Sequence, residues 1–148
     1  MIGNRALLDG QITGFFASSK ISTPSVMPTL DWAADTARDA GAVVASGFQS
    51  KLEKQAFDFL ARGQCGIILV LNRGMYRRVP DPLQSLLNAN RLLIVSLLGD
   101  NVSRPGRDNA ARRNRYIADI SSLLVLASLH PDSSLNILAR LGKPTLTL

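Results

Sequence analysis

The chain is poor in the side chains that most small-molecule chemistry needs. Among its 148 residues there is one cysteine and one histidine, too few for an internal disulfide or for a structural Cys/His metal centre. Cys65 sits in the apolar run CGIILVL and reads as a small buried hydrophobe, compatible with a reducing compartment. Aromatic residues are also scarce, with five Phe, two Tyr and one Trp. Ring stacking therefore cannot dominate the binding of any ligand. No uninterrupted apolar stretch approaches the roughly 20 residues of a membrane span, and the first residues lack the pattern of a secretory signal. The expectation is a soluble cytoplasmic protein with no membrane partner. No GxGxxG follows the first apolar run, where SSKIST (Ser18 to Thr23) lacks the glycines that let backbone approach a pyrophosphate. That excludes a nicotinamide or flavin dinucleotide, and no other cofactor or metal is expected.

What the chain does have is apolar content and positive charge. A hydrophobic fraction of 46% suits one globular domain able to bury its core without staples. A net charge of +6 favours a polyanionic partner, with nucleic acid the first candidate.

Short apolar runs alternate with amphipathic segments of helical length. Ile12 to Ser18, Ala42 to Ser46, Gly66 to Leu71, Arg91 to Leu98, Ser122 to Ser128 and Thr145 to Leu148 read as strands. Most are apolar throughout rather than alternating, as strands covered on both faces require. Helices are expected over Pro28 to Ala40, Gln49 to Arg62, Leu83 to Asn88, Asp108 to Ile120 and Ser133 to Leu141, with Gly41, Gly63 and Gly142 as left-handed C-caps. The fold class is α/β: a Rossmann-like, doubly wound parallel sheet of about six strands with helices on both faces.

Ligands of such sheets bind beyond the carboxyl ends of the strands. The segments expected there are SSKISTP, SGFQSK, NRGMYRRVP and SRPGRDNAARRNR, which together would line one edge with hydroxyls, amides and cations. The last is the most pointed. Five basic residues fall between Arg104 and Arg115, with Asp108 as the one acid among them. Guanidinium forks at the start of a helix are a recurring device for holding phosphate, although a solvated basic face has the same composition.

The order of these motifs resembles the Rossmann-like domain of the DNA-processing protein A (DprA, or Smf) family, within the superfamily that includes the lonely-guy phosphoribohydrolases. GNRALLDG (Gly3 to Gly10) is similar to the family's GNxxLL, and FFASSK (Phe15 to Lys20) stands where the family has a strand ending in GSR. VVASGFQSKLEKQAF (Val43 to Phe57) lies on SGxARGIDxxAH, VLNRGMYRRVP (Val70 to Pro80) on VLGxGxDxxYP, and RPGRDNAARRNRYIADIS (Arg104 to Ser121) on RPxxFxxRNRIIAGLS. The likeness covers almost the whole chain, and the RNRxIAxxS box is its specific part. It implies a non-enzymatic domain that binds single-stranded DNA in a positive pocket, forms a homodimer, and assists homologous recombination or natural transformation with a RecA-type recombinase. The implied DNA contacts are Ser19, Lys20, Ser46, Gly47, Arg113, Asn114 and Arg115, with Ser46 and Gly47 letting backbone N–H groups approach the ligand.

The chain departs from the family at several positions. Its GID is KLE here (Lys51 to Glu53), its His is Phe57, its loop Arg is Lys20, its first loop glycine is Ser18, and the acid after the fourth-strand serine is Leu97. The segment after the fifth strand is shorter, and residues 1 to 148 hold the Rossmann-like domain alone, without winged-helix or N-terminal helical domains. Two other readings compete: a sensor of a nucleotide or nucleotide-derived signal, and a phosphoribohydrolase, whose PGGxGT loop is absent. No residue is assigned a catalytic role. His130 is read as part of a turn, Glu53 as a solvated face paired with Lys51 and Lys54, and Trp32 and Phe57 as core. Arg115 is expected to carry more of the binding than any other residue.

Overall fold

The buried apolar runs form the centre of the sheet because strands covered on both faces must be apolar on both. The computed structural model describes residues 1–98 and 107–148, and the side chain of Arg107 is not described. Arg104 and the first part of the RPGRDNAARRNR segment lie outside the described residues. Seven strands are found among the described residues: β1 (Ile2–Gly3), β2 (Thr13–Ala17), β3 (Val43–Ser46), β4 (Gly66–Leu71), β5 (Leu92–Ser96), β6 (Leu123–Ala127) and β7 (Thr145–Thr147). They form one sheet in the order β1-β5-β4-β3-β2-β6-β7. All neighbours are parallel except β1 and β5, where Ile2 faces Ile94 in an antiparallel pair. This two-residue strand was not expected, since nothing in so short a segment distinguishes it from a loop.

Among the described residues four α-helices connect the strands: α1 (Thr23–Ala37), α2 (Lys51–Ala61), α3 (Asp81–Asn88) and α4 (Arg107–Ile120). Helix α1 begins five residues before the expected Pro28. Pro24 occupies its first turn, where a missing N–H costs nothing, and the exposed Pro28 is tolerated inside. The segment Ser134–Arg140 is a 3-10 helix rather than an α-helix. Of the three expected left-handed glycines, Gly142 alone has positive φ, at 78°. Gly63 is glycine for a different reason: a Cβ there would lie 2.2 Å from the Ala37 carbonyl oxygen, so the α2–β4 turn packs directly on the end of α1.

The sheet separates two apolar layers. Phe15, Val44, Ile67, Leu69 and Ile94 pack under α1, α2 and α3. Phe16, Ala45, Ile68, Leu93 and Leu126 pack under α4 and the Ser134–Arg140 turn. Cys65, fully buried, joins the end of α2 to β4. Beside it Arg91 donates from Nε to the Cys65 carbonyl (2.9 Å) and from Nη1 and Nη2 to the Ala61 and Leu60 carbonyls (3.0 and 2.8 Å). Those are the carbonyls a helix end leaves unpaired. Lys143 does the same for α4, donating to the Ser121 carbonyl at 2.7 Å and to those of Ala118 and Asp119.

The chain runs outward from β2 through β3 and β4 to β5, and then crosses back by α4 to β6 on the other side of β2. The order reverses at β2, which opens a crevice at its carboxyl end.

Candidate nucleic-acid interface

Four elements meet at that crevice: the exit of β2, the start of α2, the middle of α4 and the segment after β6. They enclose a cleft of about 880 Å³. Helical side chains tilt toward the helix N-terminus, so a residue one turn before Ile117 on the inward stripe of α4 reaches toward the strand ends. That residue is Arg113.

Arg113 is buried, with 7% of its surface exposed. Its guanidinium packs against Gly47, where a Cβ would come 2.6 Å from Cζ and Nε. Gly47 is therefore required by the close approach of an arginine rather than by backbone conformation. Nε and Nη2 of Arg113 donate to Oδ1 of Asn114 at 3.2 and 3.1 Å. Nη1 is buried and has no hydrogen-bond partner among the described residues. Burial pushes the guanidinium below its ordinary pKa, and the Glu53 carboxylate acts in the opposite direction. It remains a cation, because arginine does not lose its proton in proteins.

Glu53 is itself buried, at 6% exposure. Its Oε2 accepts from the Ala17 N–H at 3.0 Å, and its Oε1 accepts from the N–H groups of Gln49 (2.9 Å) and Ser50 (3.1 Å). The Ser50 hydroxyl accepts from the Glu53 N–H in return, completing a capping box at the start of α2. This corrects the expectation of a solvated face shared with Lys51 and Lys54, which point outward and form no ion pair with it among the described residues. The spacing Ser50-x-x-Glu53 before an apolar run was the signal that could have found it.

Four of the residues implied by the resemblance line the cleft: Ser19, Arg113, Asn114 and Arg115. Lys20 is exposed beside Ser19 at the end of β2. Ser46 and Gly47 are buried behind the wall. The Ser46 hydroxyl accepts from the Phe48 N–H at 3.2 Å, steadying a residue held at φ 48°, which is unusual for a side chain of this size. Gly47 presents its open face to Arg113. Arg115 is the more exposed of the two motif arginines: 66% of its side chain is accessible, and its Nε donates to Asp119 Oδ1 at 3.0 Å. His130 stands in the cleft wall with Nε2 3.0 Å from Ser18 Oγ, a placement its turn-like sequence context concealed. Among the described residues no three His, Cys, Asp or Glu side chains gather to hold a metal ion.

The same edge carries a second group of cations at the exit of β4. Arg77 and Arg78 are exposed, and the Arg73 guanidinium lies 5.3 Å from the centre of the Tyr76 ring. Ser96 Oγ donates to the Arg73 carbonyl at 2.6 Å, fastening this loop to the end of β5.

No family model and no curated protein matches this sequence. Solved structures do. The chain is similar to DNA processing protein A from Helicobacter pylori, with a TM-score of 0.78 and 21% identity over 99% of this chain and 69% of that one. It is similar to DprA from Streptococcus pneumoniae, with a TM-score of 0.76 and 18% identity over 98% of this chain and 52% of that one. The fold is that of the DprA Rossmann-like domain. The H. pylori DprA is described as having a unique single-stranded DNA binding mode. Against the S. pneumoniae DprA, the present chain spans about half the length. No helix among the described residues is long and apolar enough to cross a membrane.

Proposed function

We propose that this domain binds single-stranded DNA through its phosphates and acts by binding rather than by turnover, as a DNA-processing module. The observation that carries the reading is Arg113: a nearly buried cation at the switch point of a parallel sheet, with one N–H group unspent. Burying a guanidinium and leaving a donor unmade both oppose folding, and such violations of local economy concentrate at functional sites. An anion reaching Nη1 would supply the missing acceptor. Asn114 orients the fork from the side, and Ser19, Lys20 and Arg115 extend the polar surface outward from it. Ser46 and Gly47 serve from behind, by shaping the turn on which the guanidinium rests. With so few aromatic residues available, phosphate electrostatics is the main term in this reading. Assistance to recombination or transformation with a RecA-type recombinase, action as a homodimer and a cytoplasmic location belong to the same proposal and rest on the likeness to DprA.

The test is a titration of labelled oligonucleotide, single-stranded and duplex, at several salt concentrations. Neutralising three or four phosphates of a single strand predicts a log-log salt slope of about −2 to −3. Binding should show little preference among sequences, because the proposed contacts carry no base code. A slope near zero, or equal affinity for duplex and single strand, would refute the reading.

A further inference from the structure

The Glu53 carboxylate sits beyond the carboxyl edge of a parallel sheet beside the start of a helix, the setting in which such sheets hold ligand phosphates. Three backbone N–H groups converge on it: Ala17 at the end of β2, and Gln49 and Ser50 at the start of α2. Amides at a helix N-terminus beyond the carboxyl edge of a parallel sheet form a ready-made anion seat, favoured further by the helix dipole. Helix α2 has 11 residues, long enough for that dipole to act. A second observation marks the place as built for negative charge. Arg113, 7% exposed, lines the same cleft as Glu53 and keeps Nη1 unpartnered among the described residues.

We propose that Glu53 is a built-in anion that fills the α2 seat and excludes the terminal phosphate of a mononucleotide from the crevice. This rests on the DNA-binding reading for its consequence: the ligand is left the wider mouth, where Ser19, Asn114 and Arg115 suit an internal phosphodiester. A terminal phosphate is compact and carries up to two charges, so it gains most from three converging amides. A phosphodiester with a chain on either side cannot enter so enclosed a place. Glu53 is therefore the specificity determinant between a free nucleotide and a strand. Its glutamate side chain is long enough to leave α2 at its third residue, return to the amides preceding that helix, and reach across to β2.

The test compares the wild type with Glu53→Ala, which empties the seat, and Glu53→Gln, which fills it without charge. Inorganic phosphate and thymidine monophosphate are the probes, each read by thermal unfolding and by the amide resonances of Gln49 and Ser50. Wild type and Glu53→Gln should show only the general stabilisation that phosphate gives any folded protein by exclusion from its surface. Glu53→Ala should show an additional rise, with amide shifts confined to the seat, and an affinity for phosphate on the order of tenfold or more above wild type. If removal of Glu53 leaves the protein unfolded in plain buffer, recovery of structure at low millimolar phosphate, where exclusion from the surface is negligible, is the same result in stronger form. Phosphate-induced shifts at Gln49 and Ser50 in the wild type, or no gain in Glu53→Ala, would overturn the proposal. An oligonucleotide arm separates the two readings: a wild type that ignores oligonucleotide while Glu53→Ala gains phosphate would refute the DNA reading and leave the occupied seat standing.

Discussion

Replacing Arg113 with methionine should separate what that residue does for the fold from what it does for the ligand. Methionine has similar reach but neither charge nor donors. Among the described residues the substitution removes two hydrogen bonds, both to the adjacent Asn114; bonds from a charged group contribute about 1.5–3 kcal/mol when sealed from water, and less at the half-buried Asn114, where water can replace the donor. Against that stands the relief of a cation held at 7% exposure with an unpartnered Nη1. Exchanging a whole buried ion pair for apolar groups is often neutral or stabilising by about 1–4 kcal/mol, and an unpaired buried cation carries the same desolvation penalty. Among the described residues no ion pair within 4.0 Å is broken, and Glu53 keeps its three amide donors. The expected change in unfolding free energy is therefore within about 1 kcal/mol of zero. Arg113→Ala should instead cost about 2–3 kcal/mol, because it leaves a void over Gly47. Both variants should lose oligonucleotide affinity on the order of ten- to a hundredfold, the value of charge-assisted contacts to phosphate. Urea unfolding with an unchanged m-value and fluorescence anisotropy with a labelled strand make the two measurements. If Arg113→Met is destabilised as much as Arg113→Ala, the guanidinium is a structural part. If it binds like the wild type, the arginine is no contact.

Three further outcomes follow from the same geometry. Arg115→Ala should weaken binding only two- to fivefold, or about 0.5–1 kcal/mol, since its guanidinium is largely solvated and shared with Asp119; Asp119→Asn should raise affinity slightly, and a larger loss from Arg115 than from Arg113 in parallel titrations would contradict the assignment. Gly47→Ala puts a methyl group 2.6 Å from the Cζ of the buried Arg113, which must turn aside, so reduced anisotropy and a loss of about 1–3 kcal/mol in unfolding free energy are expected. Gly63→Ala sets its methyl group 2.2 Å from a backbone oxygen that cannot yield, and should cost about 2 kcal/mol or more in unfolding free energy without a specific effect on binding.

Much of the architecture was legible because β3, β4 and β6 are apolar on both faces, and only a doubly covered sheet calls for that. Strand β1 was not, because its pairing depends on the neighbouring β5 rather than on any preference of Ile2 and Gly3. Gly41 and Gly63 misled as caps: neither has positive φ, and at Gly63 close packing on Ala37 supplies an equally good reason for glycine. In the site, the motif carrying Arg113, Asn114 and Arg115 was visible, but the burial of the first arginine and the exposure of the last were not. Arg113 stands four residues before the buried Ile117 and Arg115 lies on the outward face beside Asp119, a difference that only the packing of α4 reveals. Glu53 was hidden by its neighbours. Lys51 and Lys54 made a solvated helix face the natural expectation, whereas Ser50 and the exit of β2 direct the carboxylate inward.

Cys65 gives the chain an internal clock for its own opening. The thiol is fully buried, with Sγ 3.8 Å from the Leu60 carbonyl, and desolvation pushes its pKa up while Arg91 opposes the shift. Only the thiolate attacks an alkylating reagent, so in the folded state the one cysteine is silent twice over, by access and by protonation. It becomes reactive when the end of α2 separates from β4, which requires the Arg91 fork to let go. The rate of alkylation in dilute reagent thus reports the free energy of that separation under native conditions, without denaturant. The same silence leaves the surface clean for labelling: a cysteine introduced at an exposed position away from the cleft would be modified alone, while Cys65 goes on timing the core.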